Sequence, residues 1–281
     1  MIFYKLSDDL REEIKHLRAS GKRIGFVPTM GALHQGHISL IQASALACDV
    51  TVCSIFVNPS QFNNAEDLKH YPRTLANDLE LLAGFKNILV YAPDEVNDVY
   101  KTDENFAVEL GNIGLVMEAA FRPGHFNGVM NVVKRLFDIV TPDMAFFGQK
   151  DFQQCLVIKK LINHYLLPVE LKICPIAREE DGLAMSSRNV RLSPAERAIA
   201  PAIFKALMHA KEQVNLLTPD EVKNRILNEL KSYRQLVPEY VEISETENLL
   251  PVESWNDARN IVACITVKLG AVRLIDNIIL K

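Results

Sequence analysis

Apolar and polar positions along this chain follow two periodicities. Between residues 24 and 174, short β-prone runs alternate with stretches that carry apolar residues at helical spacing, as in Val132, Leu136 and Val140. The predicted strands are 24–27, 49–57, 88–91, 144–147 and 169–174. Such nearly continuous apolar runs are typical of strands buried on both faces. Strands alternating with helices predict an α/β fold, a Rossmann-like, doubly wound parallel sheet.

The pattern changes near residue 177. Ser193-Pro-Ala-Glu196 and Thr218-Pro-Asp-Glu221 each place a capping hydroxyl before an N1 proline and an N3 glutamate, so two helices begin there. Later β-prone runs are predicted as strands at 239–243, 261–269 and 272–279. The last two are close enough to form a hairpin. We therefore predict a Rossmann-like domain over residues 1–176 and a smaller C-terminal α+β domain over residues 177–281.

The N-terminal segment is predicted to belong to the folded protein. Leu10, Ile14 and Leu17 form one helical stripe, with Ser7 as the predicted N-cap and Gly21 as the stop. No basic segment precedes an apolar core, so a signal peptide is not predicted. No apolar run reaches the roughly 18 residues that cross a bilayer, so no membrane association is expected.

Composition narrows the class of partner. The chain of 281 residues is 48% hydrophobic and 23% charged, which is typical of a globular enzyme with one large or two modest domains. Its net charge of −4 gives no general attraction to nucleic acid, so any basic site must be local. The five cysteines include no C-x-x-C pair, which argues against a disulfide framework or a zinc knuckle and favours a cytoplasmic location.

The most distinctive chemistry lies where the first predicted strand turns into a helix. Pro28 ends the strand, and a glycine-bearing loop follows, so backbone N–H groups and the helix dipole suit a phosphate. It is not a P-loop, because His37 and Ile38 replace the lysine and the hydroxyl of that motif. His34 and His37 share one helical face and are predicted to reach one phosphate. In the alternative interpretation, one histidine bonds a loop carbonyl and the other is solvated.

Two further polar loops follow predicted strands and are expected at the same edge of the sheet. One holds the amides Asn58 and Gln61. The other holds Lys150, which suits a phosphate as a point charge, and Gln154 one helical turn later. Asp151, at the start of that helix, is either an N-cap or a ribose contact.

A fourth loop, Met185-Ser-Ser-Arg-Asn189, places two hydroxyls and a guanidinium within four residues. With their N–H groups they form a compact cradle for an anion. Alone, this string is more typical of a solvated loop. Together with H-x-G-H upstream, it is predicted to grip a triphosphate from the opposite side.

These strings resemble the motifs of known protein families. H-x-G-H followed by Met-Ser-Ser-Arg is similar to the HIGH and KMSKS pair of the nucleotidylyl-transferase superfamily. Longer strings resemble the pantoate–β-alanine ligase family. They are Phe26-Val-Pro-Thr-Met-Gly-Ala-Leu-His-Gln-Gly-His37, Phe56-Val-Asn-Pro-Ser-Gln-Phe62, Tyr71-Pro-Arg-Thr74, Arg122-Pro-Gly-His-Phe126, Phe147-Gly-Gln-Lys-Asp-Phe-Gln-Gln154 and Met185-Ser-Ser-Arg-Asn189. The last hundred residues carry little motif signal.

The resemblance implies an ATP-dependent ligase that joins pantoate to β-alanine through a pantoyl adenylate. The implied catalytic residues are His34, His37, Lys150, Ser186, Ser187 and Arg188. The implied ATP contacts are Met30, Gly31, Ala32, Leu33, His34, Gln35, Gly36 and His37, then Gly148, Gln149, Lys150 and Asp151, then Ala177, Met185, Ser186, Ser187 and Arg188. The implied pantoate contacts are Gln61, Gln154 and Met30. The implied β-alanine contacts are Gln61 and Asn58.

Mg²⁺ is the second implied cofactor, held mainly by phosphate oxygens, with Asp78 as its protein ligand. The neighbouring Asn77 stands where some relatives carry an acid. The resemblance further implies a homodimer. The net charge of −4 predicts no nucleic-acid partner.

Other functions fit these residues less well. An adenylyltransferase of the same superfamily needs further basic residues for a phosphate-bearing acceptor, whereas the loop at 58–62 offers neutral amides. A tRNA synthetase is disfavoured by the acidic balance and the lack of an anticodon-binding extension. A non-catalytic ATP-binding regulator does not need both histidines, Lys150 and the Ser-Ser-Arg loop together.

Overall fold

The computed structural model describes residues 1–62 and 65–281, which form two compact units. The first unit comprises Met1–Leu110, Phe121–Gly148 and Val157–Cys174. The second comprises Gly111–Ala120, Gln149–Leu156 and Pro175–Lys281. The two short segments of the second unit thus lie within the sequence range predicted for the first domain, and the boundary at residue 176 stays a prediction.

The first unit is built on a parallel sheet. Within the described residues its strands are β1 (Ile2–Tyr4), β2 (Ile24–Thr29), β3 (Val50–Ile55), β4 (Ile88–Tyr91), β5 (Met144–Gly148) and β6 (Glu170–Cys174). Their order is β1-β4-β3-β2-β5-β6, and every pair is parallel. The chain moves from β2 through β3 to β4 on one side and resumes at β5 on the other. The predicted α/β fold is confirmed, and its topological switch point lies between β2 and β5.

Helices connect these strands and continue into the second unit. In chain order they are α1 (Ser7–Ala19), α2 (Gln35–Ala47), α3 (Ala65–Lys69), α4 (Leu75–Leu82), α5 (Val96–Val99), α6 (Met117–Phe121), α7 (His125–Val140), α8 (Phe152–His164), α9 (Pro194–Ile199), α10 (Ala202–Glu212) and α11 (Pro219–Lys231). In the part of the chain that the structure describes, none of these helices has the length and apolar character of a membrane span.

The structure of the N-terminal residues differs from the sequence prediction at the first strand and at the start of α1. β1 was not predicted, because three residues at a sheet edge are too short to show a period. The role of Ser7 as an N-cap was also wrong, since Leu6 precedes the helix and its side chain makes no capping bond. Ser7 is instead fully buried, and its N–H and hydroxyl donate to the carboxylate of Asp98 at 2.7 and 3.1 Å. A tertiary contact thus replaces the local cap.

The second unit contains an antiparallel sheet of β7 (Leu236–Glu245), β8 (Ile261–Leu269) and β9 (Val272–Ile279), in that order, over the described residues. β8 and β9 form the predicted hairpin. Both predicted capping boxes are present, at Ser193 before α9 and at Thr218 before α11. Ile203, Leu207 and Ile226 of α10 and α11 share one core with β8. This confirms the small C-terminal α+β element of the predicted fold.

Candidate active site

The histidine loop begins where β2 ends and carries both imidazoles into the start of α2. His34 is the N-cap and His37 the N3 residue of a capping box. The Nδ1 atom of His34 accepts the N–H of Gly36 at 3.1 Å, and Nδ1 of His37 accepts the N–H of His34 at 3.3 Å. Because both Nδ1 atoms accept, each neutral ring carries its proton on Nε2. The ring centres lie 4.1 Å apart, so the two Nε2–H donors are neighbours.

A buried carboxylate holds the turn before these histidines. Gly31 and Ala32 have φ angles of 77° and 48°, the left-handed region that costs energy for alanine. Asp78, 1% exposed, accepts the N–H groups of Ala32 and Leu33 at 3.0 and 2.8 Å. The hydroxyl of Thr74 also donates to Asp78, at 3.1 Å. These bonds satisfy N–H groups that the irregular turn removes from regular secondary structure. The role of Asp78 as a metal ligand stays a prediction.

The amide loop after β3 forms a second polar cluster in the first unit. Asn58 caps a turn of 3₁₀ helix, Pro59–Gln61, and Gln61 is its last residue; both side chains are buried. Asn58 Nδ2 donates to the Gly128 carbonyl at 3.1 Å and lies 3.3 Å from Gln61 Oε1. Gln61 Nε2 lies 2.7 Å from the sulfur of Met30, so the amide faces the beginning of the histidine loop. Two predicted pantoate contacts, Gln61 and Met30, are thus adjacent.

Residues that the sequence analysis did not single out fix this amide loop. The hydroxyl of Tyr100 donates to Asn58 Oδ1 at 2.8 Å, and burial raises the pKa of Tyr100, which keeps that hydroxyl protonated. His125 Nδ1 donates to the carbonyl of Gln61 at 2.8 Å. His125 and Gly128 belong to α7. The string Arg122-Pro-Gly-His-Phe126, one of those that carry the family resemblance, contains His125. Tyr100 lies in the stretch 93–125, for which no element was predicted.

In the second unit, Lys150 lies in a turn of 3₁₀ helix, Gln149–Asp151, directly before α8. The Lys150 ammonium is 3.8 Å from the Asp151 carboxylate, which stands at the helix start as predicted. Gln154 follows in the first turn of α8 and is partly exposed. Gly148, immediately before this turn, is the last residue of β5 and therefore belongs to the sheet of the first unit.

The serine–arginine loop is a structured turn of the second unit. The N–H of Met185 donates to the carbonyl of Ala177 at 3.0 Å, which joins two predicted ATP contacts. The hydroxyl of Ser186 accepts the N–H of Arg188 at 3.2 Å, and a turn of 3₁₀ helix follows at Asn189–Arg191. All residues from Met185 to Arg188 are partly exposed, so a ligand can reach them.

The predicted site residues therefore fall into two groups, one in each unit. In the first unit, β2 pairs with β3 and with β5, so His34, Asn58 and Gln61 follow strands whose carboxyl ends are adjacent. In the second unit, Lys150 and the 177–188 loop belong to one body. The described residues contain no cluster of three or more His, Cys, Asp or Glu side chains able to hold a metal.

Together, a parallel sheet with a switch point and a histidine-bearing helix start at its carboxyl edge define a nucleotide-binding α/β protein of the Rossmann-like class. The chain belongs to the pantoate-beta-alanine ligase family, whose sequence model matches residues 3–279. A pantothenate synthetase from Porphyromonas gingivalis W83 is 49% identical over 269 residues, covering 96% of this chain and 95% of the relative.

Similar solved structures support the same family assignment. A pantothenate synthetase from Thermus thermophilus has a TM-score of 0.91 and 37% identity, covering 99% of both chains. A pantoate-beta-alanine ligase from Francisella tularensis, crystallised with beta-gamma ATP and beta-alanine, has a TM-score of 0.80 and 32% identity. It covers all of this chain and 98% of its own. The family suggested by the loop strings is confirmed.

Proposed function

We propose that this protein condenses pantoate with β-alanine in an ATP-dependent reaction that releases AMP and pyrophosphate. The observation that carries the proposal is the capping box of the histidine loop, which orients two Nε2–H donors side by side at the carboxyl edge of the sheet. Family membership over residues 3–279 supplies the substrates. The Francisella ligase, crystallised with a nucleotide and beta-alanine, supports the same assignment.

Activation of the acid comes first. A carboxylate resists attack by an amine until it carries a good leaving group. A pantoate oxygen attacks the α-phosphorus of ATP, a new O–P bond forms, and the bond to pyrophosphate breaks. His34 and His37 donate through Nε2 to phosphate oxygens, and Lys150 stabilises the charge that develops. Ser186, Ser187 and Arg188 bind the remaining phosphates.

Amide formation follows. The β-alanine nitrogen attacks the acyl carbon and the C–N bond forms. The acyl C–O bond breaks, so AMP leaves with the bridging oxygen, and the nitrogen loses a proton to solvent. Gln61 and Gln154 orient pantoate, and Asn58 lies beside the β-alanine position. Asn58 and Gln61 are neutral and buried, which suits a small hydroxy acid better than a phosphate. Positioning and electrostatics carry most of the rate in this scheme.

Mg²⁺ enters this proposal with ATP, bound to phosphate oxygens. The described residues offer no cluster of metal ligands, and the carboxylate of Asp78 already accepts three hydrogen bonds. No step of the mechanism depends on a protein-held metal. A homodimer and a cytoplasmic location, implied by the family resemblance, remain part of the proposal.

The test is isotope exchange between ATP and pyrophosphate. Exchange should require pantoate and proceed without β-alanine, and the complete reaction should yield AMP. Lys150→Ala should slow exchange by about 10²-fold, the scale for losing one electrostatic donor. Lys159→Ala removes the same charge from an exposed position on α8 and should have no effect. Exchange without pantoate, or ADP as the product, would refute the mechanism, and a normal rate in Lys150→Ala would remove that residue from it.

A further inference from the structure

β9, in the part of the chain with the weakest motif signal, carries two consecutive polar residues inside the second unit. Asp276 and Asn277 are 4% and 2% exposed. Asparagine and aspartate are depleted in strands, and a buried polar side chain costs free energy unless it is hydrogen-bonded. Neighbouring strand residues point to opposite faces of a sheet. The two side chains therefore bond to different partners. Both sets of partners include or adjoin predicted ATP contacts.

Asn277 holds the turn that carries Lys150. Its Nδ2 donates to the carbonyls of Gln149 and Lys150 at 2.9 and 3.0 Å. Its Oδ1 accepts Nε2 of Gln149 at 3.1 Å. The amide of Asn277 thus makes three hydrogen bonds, two as donor and one as acceptor, to one three-residue turn. The backbone on either side of the Lys150 side chain is fixed by a residue 127 positions away along the chain.

Asp276 holds the segment that carries Ala177. Its two carboxylate oxygens accept the guanidinium of Arg178 at 2.7 and 2.8 Å, a bidentate pair. The same guanidinium donates to the carbonyl of Gly182 at 3.0 Å and stacks 3.8 Å from the ring centre of Phe204. Arg178 is thereby fixed on three sides, and the position of the preceding Ala177 is fixed with it.

A third set of hydrogen bonds connects the segment of Ala177 and Arg178 to the serine–arginine loop. Arg178 and Ala184 form an isolated antiparallel bridge, and the N–H of Met185 donates to the carbonyl of Ala177. Asp276 and Asn277 are themselves joined, since the N–H of Asn277 donates to Asp276 Oδ1 at 2.8 Å. One dipeptide of β9 is thus bonded to the Lys150 turn and, through Arg178, to the 177–185 segment.

We propose that Asp276 and Asn277 are positioning residues for ATP, which set the Lys150 turn and the 177–185 segment in mutual register before the nucleotide binds. This inference rests on the proposed function, because that function makes both segments ATP contacts. Pre-organised donors stabilise developing charge without reorganising during the reaction, so a loosened turn lowers ATP affinity and the adenylation rate together.

The experiment compares two isosteric variants on the same face of the sheet. Asn277→Leu keeps the number and branching of the side-chain heavy atoms and removes the bonds to the 149–151 turn. The control, Thr266→Val, lies on β8 and is fully buried. It loses the hydrogen bonds of the Thr266 hydroxyl, which include the one to Glu118 at 3.2 Å, and Glu118 belongs to neither segment. Asn277→Ser, smaller and with one remaining donor, serves if the leucine variant does not fold. ATP affinity is measured by calorimetric titration, and melting temperature is recorded for each variant.

We expect Asn277→Leu to weaken ATP binding by about tenfold or more, while Thr266→Val stays within about twofold of the native ATP affinity. Native ATP affinity in Asn277→Leu, or equal losses in the two variants, would overturn the inference. A wild type that binds ATP but makes no pantothenate would refute the proposed function instead.

Discussion

Gly128 of α7 offers a sharp test of how the fold positions Gln61. A Cβ atom built at Gly128 would lie 2.6 Å from the Ser60 carbonyl carbon, 2.7 Å from the Gln61 Cα, and closer still to the Ser60 oxygen. All three atoms are backbone, so no side chain can swing aside. Two carbons need about 3.5 Å at contact, so Gly128→Ala must push the helix and the amide loop apart by roughly 0.8 Å.

The effects on stability and activity differ in size. Replacing glycine by alanine within a helix stabilises the folded state by about 1 kcal/mol, whereas overpacking costs about 1–3 kcal/mol. The net loss of stability is therefore small, at most about 2 kcal/mol. A displacement near 1 Å at a binding residue lowers activity by about 10²-fold. Gly128→Ala should thus fold normally and lose kcat/KM for pantoate by about two orders of magnitude.

The assay is steady-state kinetics with pantoate varied at saturating ATP and β-alanine, with a melting curve for each variant. Gly84→Ala is the matched control, because a Cβ at Gly84 meets nothing within 4 Å. The control should be neutral or slightly stabilising, by about 0.4–1 kcal/mol. A folded Gly128→Ala with native kcat/KM for pantoate would show that the close approach of α7 does not position Gln61.

Two further changes test other parts of the molecule. Asp78→Asn keeps one oxygen but turns amide hydrogens toward one of the two N–H groups, of Ala32 or Leu33, that the carboxylate accepts, so ATP–pyrophosphate exchange should slow about tenfold even at saturating Mg²⁺. Full rescue of the exchange rate by added Mg²⁺ would instead support a role for Asp78 as a metal ligand. Hydrogen bonds from Thr218 lower the pKa of Glu221, so its contribution to stability is present above the ordinary glutamate pKa and is lost as the pH falls. In Glu221→Gln the melting temperature should depend less on pH between about 5 and 3, and an unchanged slope would contradict this.

The sequence alone predicted what short-range patterns encode. Apolar runs of strand length and helical spacing predicted β2 to β6 and the hairpin of β8 and β9, since both depend on which face of a segment is buried. Serine or threonine, proline and glutamate at fixed spacing predicted the starts of α9 and α11, because a capping box closes within four residues. H-x-G-H at the junction of β2 and α2 predicted the candidate phosphate-binding donors for the same reason.

Only the tertiary structure decided how those donors are held. Ser7 bonds Asp98 rather than its own helix, and Asp78 supports a loop 45 residues earlier in the chain. Asn277 fixes the carbonyls beside Lys150, although nothing in the sequence near either residue signals the other. Local patterns reflect backbone geometry over a turn or two, whereas a buried polar side chain pairs with whatever unsatisfied group the packed fold brings beside it. The sequence therefore predicts which side chains carry the candidate chemistry, and the tertiary structure determines how those side chains are oriented.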